Sequence, residues 1–485
     1  MNYCRDLVAA ADPARQALVE RRRDGGRRVW TFGQLADRSA RLAGTLAGTY
    51  GVRRGDVVLT LVGARVEWVE IMLACFRIGA VALSCTEQSR VGDLLDRLAA
   101  AEPVLVIADE RNRAVIEHAG PSCPVLLVPD EAIYDAEPAP PAELAMTDPA
   151  LMTFTSGTAG GPKAVVHAQR YLLGQRLQAE HWLDAREGDL VWCTASPGWS
   201  KSARNVFLAP WLRGATALVH DARFGIDERL AILAEEAVDV LCMAPTEYRV
   251  IARHASIPPL PALRSLVAAG EALDPPTMTA WRDALGVDVR DGYGQTETGQ
   301  LTGNVIGQPP RAGSMGRPLP GVSLRIEDGE LVVDPATVPT FFLGYRGQPP
   351  PQGVWRTGDA AERDEDGYLW FRGRIDDVIV SSGYRIGPAE VESVLAHHPA
   401  VADCAVVGAP DADRGSVVRA VVELRPGYAP SDQLTRDLQD FVKSETAPYK
   451  YPRIVDFVPE LPRTATGKTR RAALRSNPDN AAGGE

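Results

Sequence analysis

Residues 57–107 read VVLTLVGARVEWVEIMLACFRIGAVALSCTEQSRVGDLLDRLAAAEPVLVI, and their hydrophobic rhythm decides the fold. Val57-Val58-Leu59-Thr60-Leu61 is a short apolar run suited to a buried strand. An amphipathic helix is expected near 66–78, then the strand Ala80-Val81-Ala82-Leu83, a helix near 92–101 and the strand Val104-Leu105-Val106-Ile107. Strands alternating with helices imply a parallel α/β sheet. Upstream, Val29-Trp30-Thr31 reads as extended, and Thr31 can cap a helix through Leu35, Leu42 and Leu46. Downstream, the Pro-rich stretch Glu137-Pro138-Ala139-Pro140-Pro141 reads as a surface connection, and alternation resumes from Ala150 to about Asp291. Residues 313–373 change character to short strands, many glycines and the cluster Pro349-Pro350-Pro351, a small β region. A compact α+β unit follows, with a helix at 388–397, strands at 401–407 and 417–424, and a helix at 431–445. From about Asn477 the chain should fray.

At 485 residues the chain exceeds one ordinary core, so at least two domains are expected. Its apolar fraction of 45% and charged fraction of 24% suit a soluble globular protein. A net charge of −11 argues against a nucleic-acid or anionic-membrane partner. The best membrane-spanning candidate, Val57 to Cys85, is broken by Arg65, Glu67, Glu70 and Arg77. Arg5 and Asp6 precede any apolar run, so no secretory signal is expected. Seven scattered cysteines without a C-x-x-C pair read as reduced thiols, which points to the cytoplasm.

Five segments carry chemistry. Thr153-Phe154-Thr155-Ser156-Gly157-Thr158-Ala159-Gly160-Gly161-Pro162-Lys163 collects hydroxyls, glycines and one lysine in a tight loop, which suits a polyphosphate. It is not a Walker loop, because Pro162 precedes Lys163 and Ala164 stands where a Ser or Thr would bind magnesium. In Asp291-Gly292-Tyr293-Gly294-Gln295-Thr296-Glu297-Thr298-Gly299, Tyr293 offers a stacking face, Thr296 a donor and Glu297 a hard oxygen ligand for Mg²⁺. In Trp355-Arg356-Thr357-Gly358-Asp359 an acid in a turn could take both hydroxyls of a ribose. The fourth segment runs from Gly373-Arg374-Ile375-Asp376-Asp377 through Ser381-Ser382-Gly383-Tyr384-Arg385 to Glu392. The fifth is Pro462-Arg463-Thr464-Ala465-Thr466-Gly467-Lys468.

Together and in this order, the five segments resemble the adenylate-forming (ANL) superfamily of acyl-CoA synthetases, luciferases and peptide-synthetase adenylation domains, over nearly the whole chain. Cys85-Thr86-Glu87-Gln88, Gly198-Trp199, Gly294 to Gly299, and Ala447-Pro448-Tyr449-Lys450-Tyr451-Pro452-Arg453 are most similar to medium-chain acyl-CoA synthetases. The resemblance implies a large N-terminal AMP- and acyl-binding domain of parallel α/β subdomains plus a small β region (1–375). A small mobile α+β domain (376–485) follows, with the hinge at Asp376. By similarity, Thr155, Ser156, Gly157, Thr158 and Lys163 belong to the loop over the β- and γ-phosphates of ATP. Gly270, Glu271, Ala272 and Tyr293 would sandwich the adenine with Asp291 at its edge, and Gly292 and Gln295 would complete the nucleotide site. Thr296 would contact the α-phosphate, Glu297 would carry Mg²⁺, Asp359 assisted by Arg374 would hold the ribose, and Lys468 would be the catalytic lysine.

The second half-reaction, thiol attack by coenzyme A, would use Ser382, Gly383, Tyr384 and Arg385 near the pantetheine, with Arg414 and Tyr451 on the nucleotide. Gln88, Trp199 and Ala244 would line the acyl tunnel, and Gly294 stands where acetate-specific relatives carry a blocking tryptophan. With no cationic cluster for a second carboxylate, apolar acids are the expected guests. Ser196, where close relatives often carry an acid, and a shortened segment between Val333 and Gln352 depart from the pattern. The implied activity is an ATP-dependent, AMP-forming acyl-CoA ligase for an apolar, medium-chain fatty acid. The alternative is an acyl- or aryl-adenylating enzyme that loads a carrier protein or another nucleophile.

Overall fold

Every residue of Val57–Leu61 is buried, as a strand flanked on both edges and covered on both faces requires. The computed structural model describes residues 1–155, 163–271, 273–377, 379–381, 384–411, 414–446, 448–463 and 469–475. Two units arise, Met1–Ser323 with Asp334–Trp355, and Leu324–Val333 with Arg356–Glu485.

The large sheets of the first unit use, in chain order, β1 (Gln16–Arg21), β2 (Arg27–Thr31), β3 (Val57–Leu61), β4 (Val81–Ser84), β5 (Leu105–Asp109), β6 (Val125–Val128), β7 (Pro149–Thr155), β8 (Lys163–Ala168), β9 (Leu190–Cys193), β10 (Thr216–His220), β11 (Val240–Met243), β12 (Ser265–Ala269), β13 (Val289–Gly292) and β14 (Gly344–Tyr345). One sheet has the order β14-β8-β7-β4-β3-β5-β6 and the other β13-β12-β11-β9-β10-β1-β2. The expected parallel pairing holds through β7-β4-β3-β5-β6 and β13-β12-β11-β9-β10-β1. Antiparallel pairs stand only at the sheet margins, β1 with β2, β7 with β8, and β8 with β14. The helices follow the sequence closely. Thr31 caps Phe32–Gly48 in a capping box with Gln34, burying Leu35, Leu42 and Leu46. Val66–Ile78 ends on Gly79 at φ 78°, a left-handed turn that favours glycine.

In the second unit, strands Leu324–Glu327, Glu330–Val333, Trp355–Arg363 and Leu369–Arg374 form a four-stranded sheet. Val401–Asp411 pairs antiparallel with Gly415–Leu424, and Ile454–Val458 adds in parallel. Helices Pro388–Leu395 and Asp432–Glu445 bury Val391, Leu395, Leu434, Leu438 and Val442 against Val406, Val418 and Val422 of these strands. The hairpin strands are longer than the expected 401–407 and 417–424, because Gly408–Asp411 pairs with Gly415–Val418 through backbone bonds that the side-chain pattern does not encode. All seven cysteines are free, and among the described residues no helix is long and apolar enough to cross a membrane.

The Pro-rich stretch lies at the surface and is tied down. Ala139 N donates to Ala40 O at 2.9 Å, Ala142 N to Arg77 O at 2.8 Å, and Arg77 Nε to Ala139 O at 2.6 Å. Helix residue Gly44 faces it so closely that a Cβ would collide with the Glu137 carbonyl oxygen. Gly44→Ala would ordinarily stabilise a helix by about 1 kcal/mol. Here it should instead lower the urea midpoint, since the strap must move off the helix.

Candidate active site

Parallel α/β sheets assemble ligand sites where their strands' carboxyl ends meet. Met243 of β11 sits beside Ala268 of β12, and Ala269 beside Gly292 of β13, so the segments starting at Ala244, Gly270 and Tyr293 leave one common edge. Gly270 holds φ at 111°, and a Cβ there would stand 3.1 Å from Lys201 Nζ. Lys201 donates to the Ala269 carbonyl. Glu271 reaches to the neighbouring loop, where its carboxylate accepts from Thr246 N at 2.9 Å and from the Thr246 hydroxyl. Asp291 is buried and accepts from Gly292 N at 2.8 Å and Leu273 N at 3.4 Å. Burial pushes its carboxyl up to about 7, against the opposing pull of those amides and Lys201.

Beyond Gly292 the chain turns through a hairpin in which Tyr293 N donates to Thr302 Oγ1 at 3.0 Å and Gly294–Gln295 pairs with Gly299–Gln300. A Cβ on Gly294 would run into the Gly299 carbonyl, so the hairpin itself requires glycine there, whatever passes alongside. Gln295 Oε1 accepts from Trp355 Nε1 at 3.0 Å. Thr296 and Glu297 lie in the turn between these strands. Glu297 is buried, its Oε1 accepts from the Tyr345 hydroxyl at 2.8 Å, and Lys163 Nζ stands 5.0 Å from the centre of the same tyrosine ring. Lys163 opens β8 opposite Thr155 at the end of β7. Ser156, Gly157 and Thr158 between them, and Ala272, lie outside the described residues.

Tyr345 escaped the sequence reading. It sits on β14, whose two residues pair with Val165 and Val166 and are too short to show a period. Lys201 escaped too, although its place two residues after Gly198-Trp199 was a usable signal. Among the described residues no group of three His, Cys, Asp or Glu could hold a metal. A single hard carboxylate such as Glu297 fits Mg²⁺ when phosphates supply most of the other ligands.

Beyond β9, Gly198 adopts φ 93°, and a Cβ would collide with the backbone of Cys85 and Thr86. This close approach sets the Thr194–Trp199 segment after β9 against the Cys85–Gln88 segment after β4. A cavity of about 30 Å³ adjoins them, with Gln88, Thr194 and Ser196 among its walls. Trp199 and Ala244 are half-buried and are not among those walls.

In the second unit, Asp359 is buried opposite Arg374 across two antiparallel strands. Arg374 Nη1 donates to Asp359 Oδ1 at 3.0 Å and to Thr357 O at 2.9 Å, and a Cβ on Gly358 would come within 2.6 Å of its guanidinium. Tyr384 and Arg385 lie on the strand Tyr384–Ile386 paired with Ile379–Ser381, and Asp376 in the turn Ile375–Asp377. Arg414 N donates to Asp411 Oδ1 at 2.9 Å. Tyr451 packs on the unit's core, and its hydroxyl accepts from Arg453 Nη1 at 2.7 Å. Ser382, Gly383 and Lys468 lie outside the described residues. His167 is buried beside Tyr171 with its pKa driven by burial to about 3, which fits a neutral structural ring.

The raised pKa of Asp291 fixes a sign. Between its ordinary value of 3.8 and about 7 the folded state holds a proton that the unfolded state has released, so stability falls as pH rises through that window and is level above it. Asp291→Asn should remove that slope and leave the variant the more stable form above pH 7, by on the order of 4 kcal/mol at most. Glu70, also raised to about 7 by burial, adds a slope of the same sign. The difference between parent and variant urea curves over pH 5–8 therefore isolates Asp291.

Comparison with known proteins agrees with this geometry. Residues 6–340 match the AMP-binding enzyme family, and residues 390–468 the AMP-binding enzyme C-terminal domain. An acyl-CoA ligase of Bacillus subtilis, YtcI, is 37% identical over 95% of this chain and 92% of its own length. The human mitochondrial acyl-coenzyme A synthetase ACSM4 is 37% identical over 96% and 87%. Among solved structures, the anthranilate CoA ligase AuaEII in complex with anthranoyl-AMP superposes with a TM-score of 0.87 at 28% identity, covering 98% of this chain and 97% of that one. A benzoate CoA ligase from Burkholderia xenovorans LB400 also gives 0.87 at 28% identity, covering 98% and 100%. The chain belongs to the AMP-binding enzymes, in their acyl-CoA synthetase branch of acid–thiol ligases.

Proposed function

We propose that this chain uses ATP to convert an apolar, medium-chain carboxylic acid into its acyl-adenylate, releasing pyrophosphate, and then passes the acyl group to the thiol of coenzyme A, releasing AMP. The observation that carries this reading is the run from the Lys163 ammonium through the Tyr345 ring and hydroxyl to the buried Glu297 carboxylate. It joins the two segments whose residue types suit phosphates. Lys163, with Thr155 and the segment 156–158, takes the β- and γ-phosphates, and Thr296 the α-phosphate. Gly270, Glu271, Ala272, Tyr293 and Asp291 take the adenine, with Gly292 and Gln295 completing the site.

Glu297 would hold Mg²⁺, whose charge offsets that of the phosphates. Attack of the acid's carboxylate on the α-phosphorus builds negative charge on its oxygens while the bond to pyrophosphate breaks, so cations fixed in advance lower the barrier. Asp359 takes the ribose hydroxyls and Arg374 orients it. Lys468 serves adenylation, whereas Ser382, Gly383, Tyr384, Arg385, Arg414 and Tyr451 serve thiol attack, with domains 1–375 and 376–485 meeting at the hinge Asp376. Gln88, Trp199, Ala244 and Gly294 take the acyl group. Seven free thiols support a reducing compartment, the cytoplasm.

Pyrophosphate release should depend on a carboxylic acid across a series of increasing chain length, and activity with no acid of the series rejects the reading. Glu297→Gln should cost about two to three orders of magnitude in that rate, the usual effect of removing one preorganised electrostatic group. Lys468→Ala should abolish pyrophosphate release while sparing thioester formation from supplied acyl-adenylate. Equal loss in both half-reactions rejects the separate roles assigned to the two sets of residues.

A further inference from the structure

The parallel register of β9 and β11 sets Cys193 directly opposite Cys242. Side chains opposed in this way lie on one face of the sheet. Both thiols meet the same helical segment on that face. Cys193 Sγ donates to Lys201 O at 3.9 Å, and Asn205 Nδ2, one turn further on, donates to Cys242 Sγ at 3.8 Å. The two thiols also hydrogen-bond to each other. Neighbouring strands run about 4.8 Å apart, inside the Cα separations that a disulfide spans, yet both thiols are free.

The pair is not symmetric. The bond from Cys242, the Ala195 amide and the Lys201 charge favour the Cys193 thiolate against burial, whereas Cys242 keeps its proton as the donor. The thiolate is the reactive form. Cys193 also forms part of the wall of the cavity beside Gln88. That cavity, of about 30 Å³, has room for a molecule as small as hydrogen peroxide and for none as large as a peptide disulfide.

We propose that Cys193 and Cys242 are a peroxide-sensitive dithiol whose oxidation to a disulfide slows the ligase until a thiol reduces it. The Cys193 sulfur attacks one peroxide oxygen, the O–O bond breaks, and the departing hydroxide takes a proton to leave as water. Cys242 sulfur then attacks the resulting sulfenic sulfur, the S–O bond breaks, and a second water leaves with the Cys242 proton. Two thiols are oxidised to one disulfide as one peroxide is reduced. The bond needs Cβ atoms about 3.8 Å apart, closer than paired strands hold them, so the ends of β9 and β11 are drawn together. Thr194 N, which donates to Cys242 O at 3.0 Å, must adjust, and with it the segment carrying Lys201, whose ammonium holds the Ala269 carbonyl beside Gly270. The same strain makes the bond easy to reduce, which suits a reversible switch. This inference rests on the ligase activity above and not on the choice of acid.

The test treats the reduced full-length enzyme with hydrogen peroxide and maps its peptides without reduction. A peptide pair joining Cys193 to Cys242, lighter by two hydrogens, should appear. Pyrophosphate release with the best acid of the series should fall by about tenfold or more, the scale on which displacements near one ångström act, and dithiothreitol should restore it. Affinity for ATP, titrated without acid, should weaken in step. Cys193→Ala should remove both the linked pair and the reversible loss. Cys242→Ala should leave Cys193 as a sulfenic acid that dimedone labels. Each variant is compared treated against untreated, so the folded fraction cancels. No linked pair at a peroxide dose that oxidises the half-buried Cys123 overturns the proposal. So does a linked pair with rate and ATP affinity unchanged, or a loss that survives Cys193→Ala. If no acid releases pyrophosphate, the substrate reading falls, while the linked peptides and the ATP titration still decide this inference.

Discussion

The pairing of β11, β12 and β13 in parallel register is the constraint on which the nucleotide side of the site depends. Parallel strands place their carboxyl ends on one edge, and the register fixes which residues reach that edge together. Ala244, Gly270 and Tyr293 are far apart in sequence, yet they begin three adjacent loops for this reason alone. The loops are then locked to one another, since Glu271 holds Thr246 and Asp291 holds the backbone of Leu273. A slip of one residue in β13 would turn Asp291 to the opposite face and leave the Leu273 amide without its acceptor. The buried carboxylate is thus a register device as well as a candidate ligand group, and its raised pKa is the cost of keeping it in an apolar interior.

The phosphate side is held differently. Lys163 and Glu297 lie on separate elements, and Tyr345 joins them from a two-residue strand at the margin of the sheet. Tyrosine suits this place because its ring can lie against an ammonium while its hydroxyl donates to a carboxylate. The arrangement keeps one cation and one anion at fixed positions without pairing them directly.

Much of this was legible in the chain. Apolar runs of four or five residues between amphipathic helices gave the strands Val57–Leu61, Val81–Ser84 and Leu105–Asp109 within a residue or two, because burial on both faces leaves no polar position to blur the pattern. Sequence marks Tyr293, Thr296 and Glu297 as chemically distinct, and the structure sets them in and beside one hairpin. Pairing partners were not legible. β1 carries Gln16, Glu20 and Arg21 and does not read as an apolar strand, yet it lies between β2 and β10. At Gly294 the contact that demands glycine comes from its own hairpin, a pairing that sequence does not display. Lys201 and Tyr345 were hidden for a related reason, because each acts through a neighbour distant in sequence.

The cavity beside Gln88 shows the same limit more sharply. Read along the chain, His220, Arg229 and Asp221 are a strand end, a helix residue and a loop charge. In charge the walls are matched pair by pair, Arg229 with Glu247 and Arg111 with Glu87 and Asp221. What sequence cannot express is which individual nitrogen is left over once the pairs are made. A guanidinium whose terminal nitrogen serves Glu247 still has Nε to satisfy, and an imidazole whose Nε2 serves Glu228 still has Nδ1.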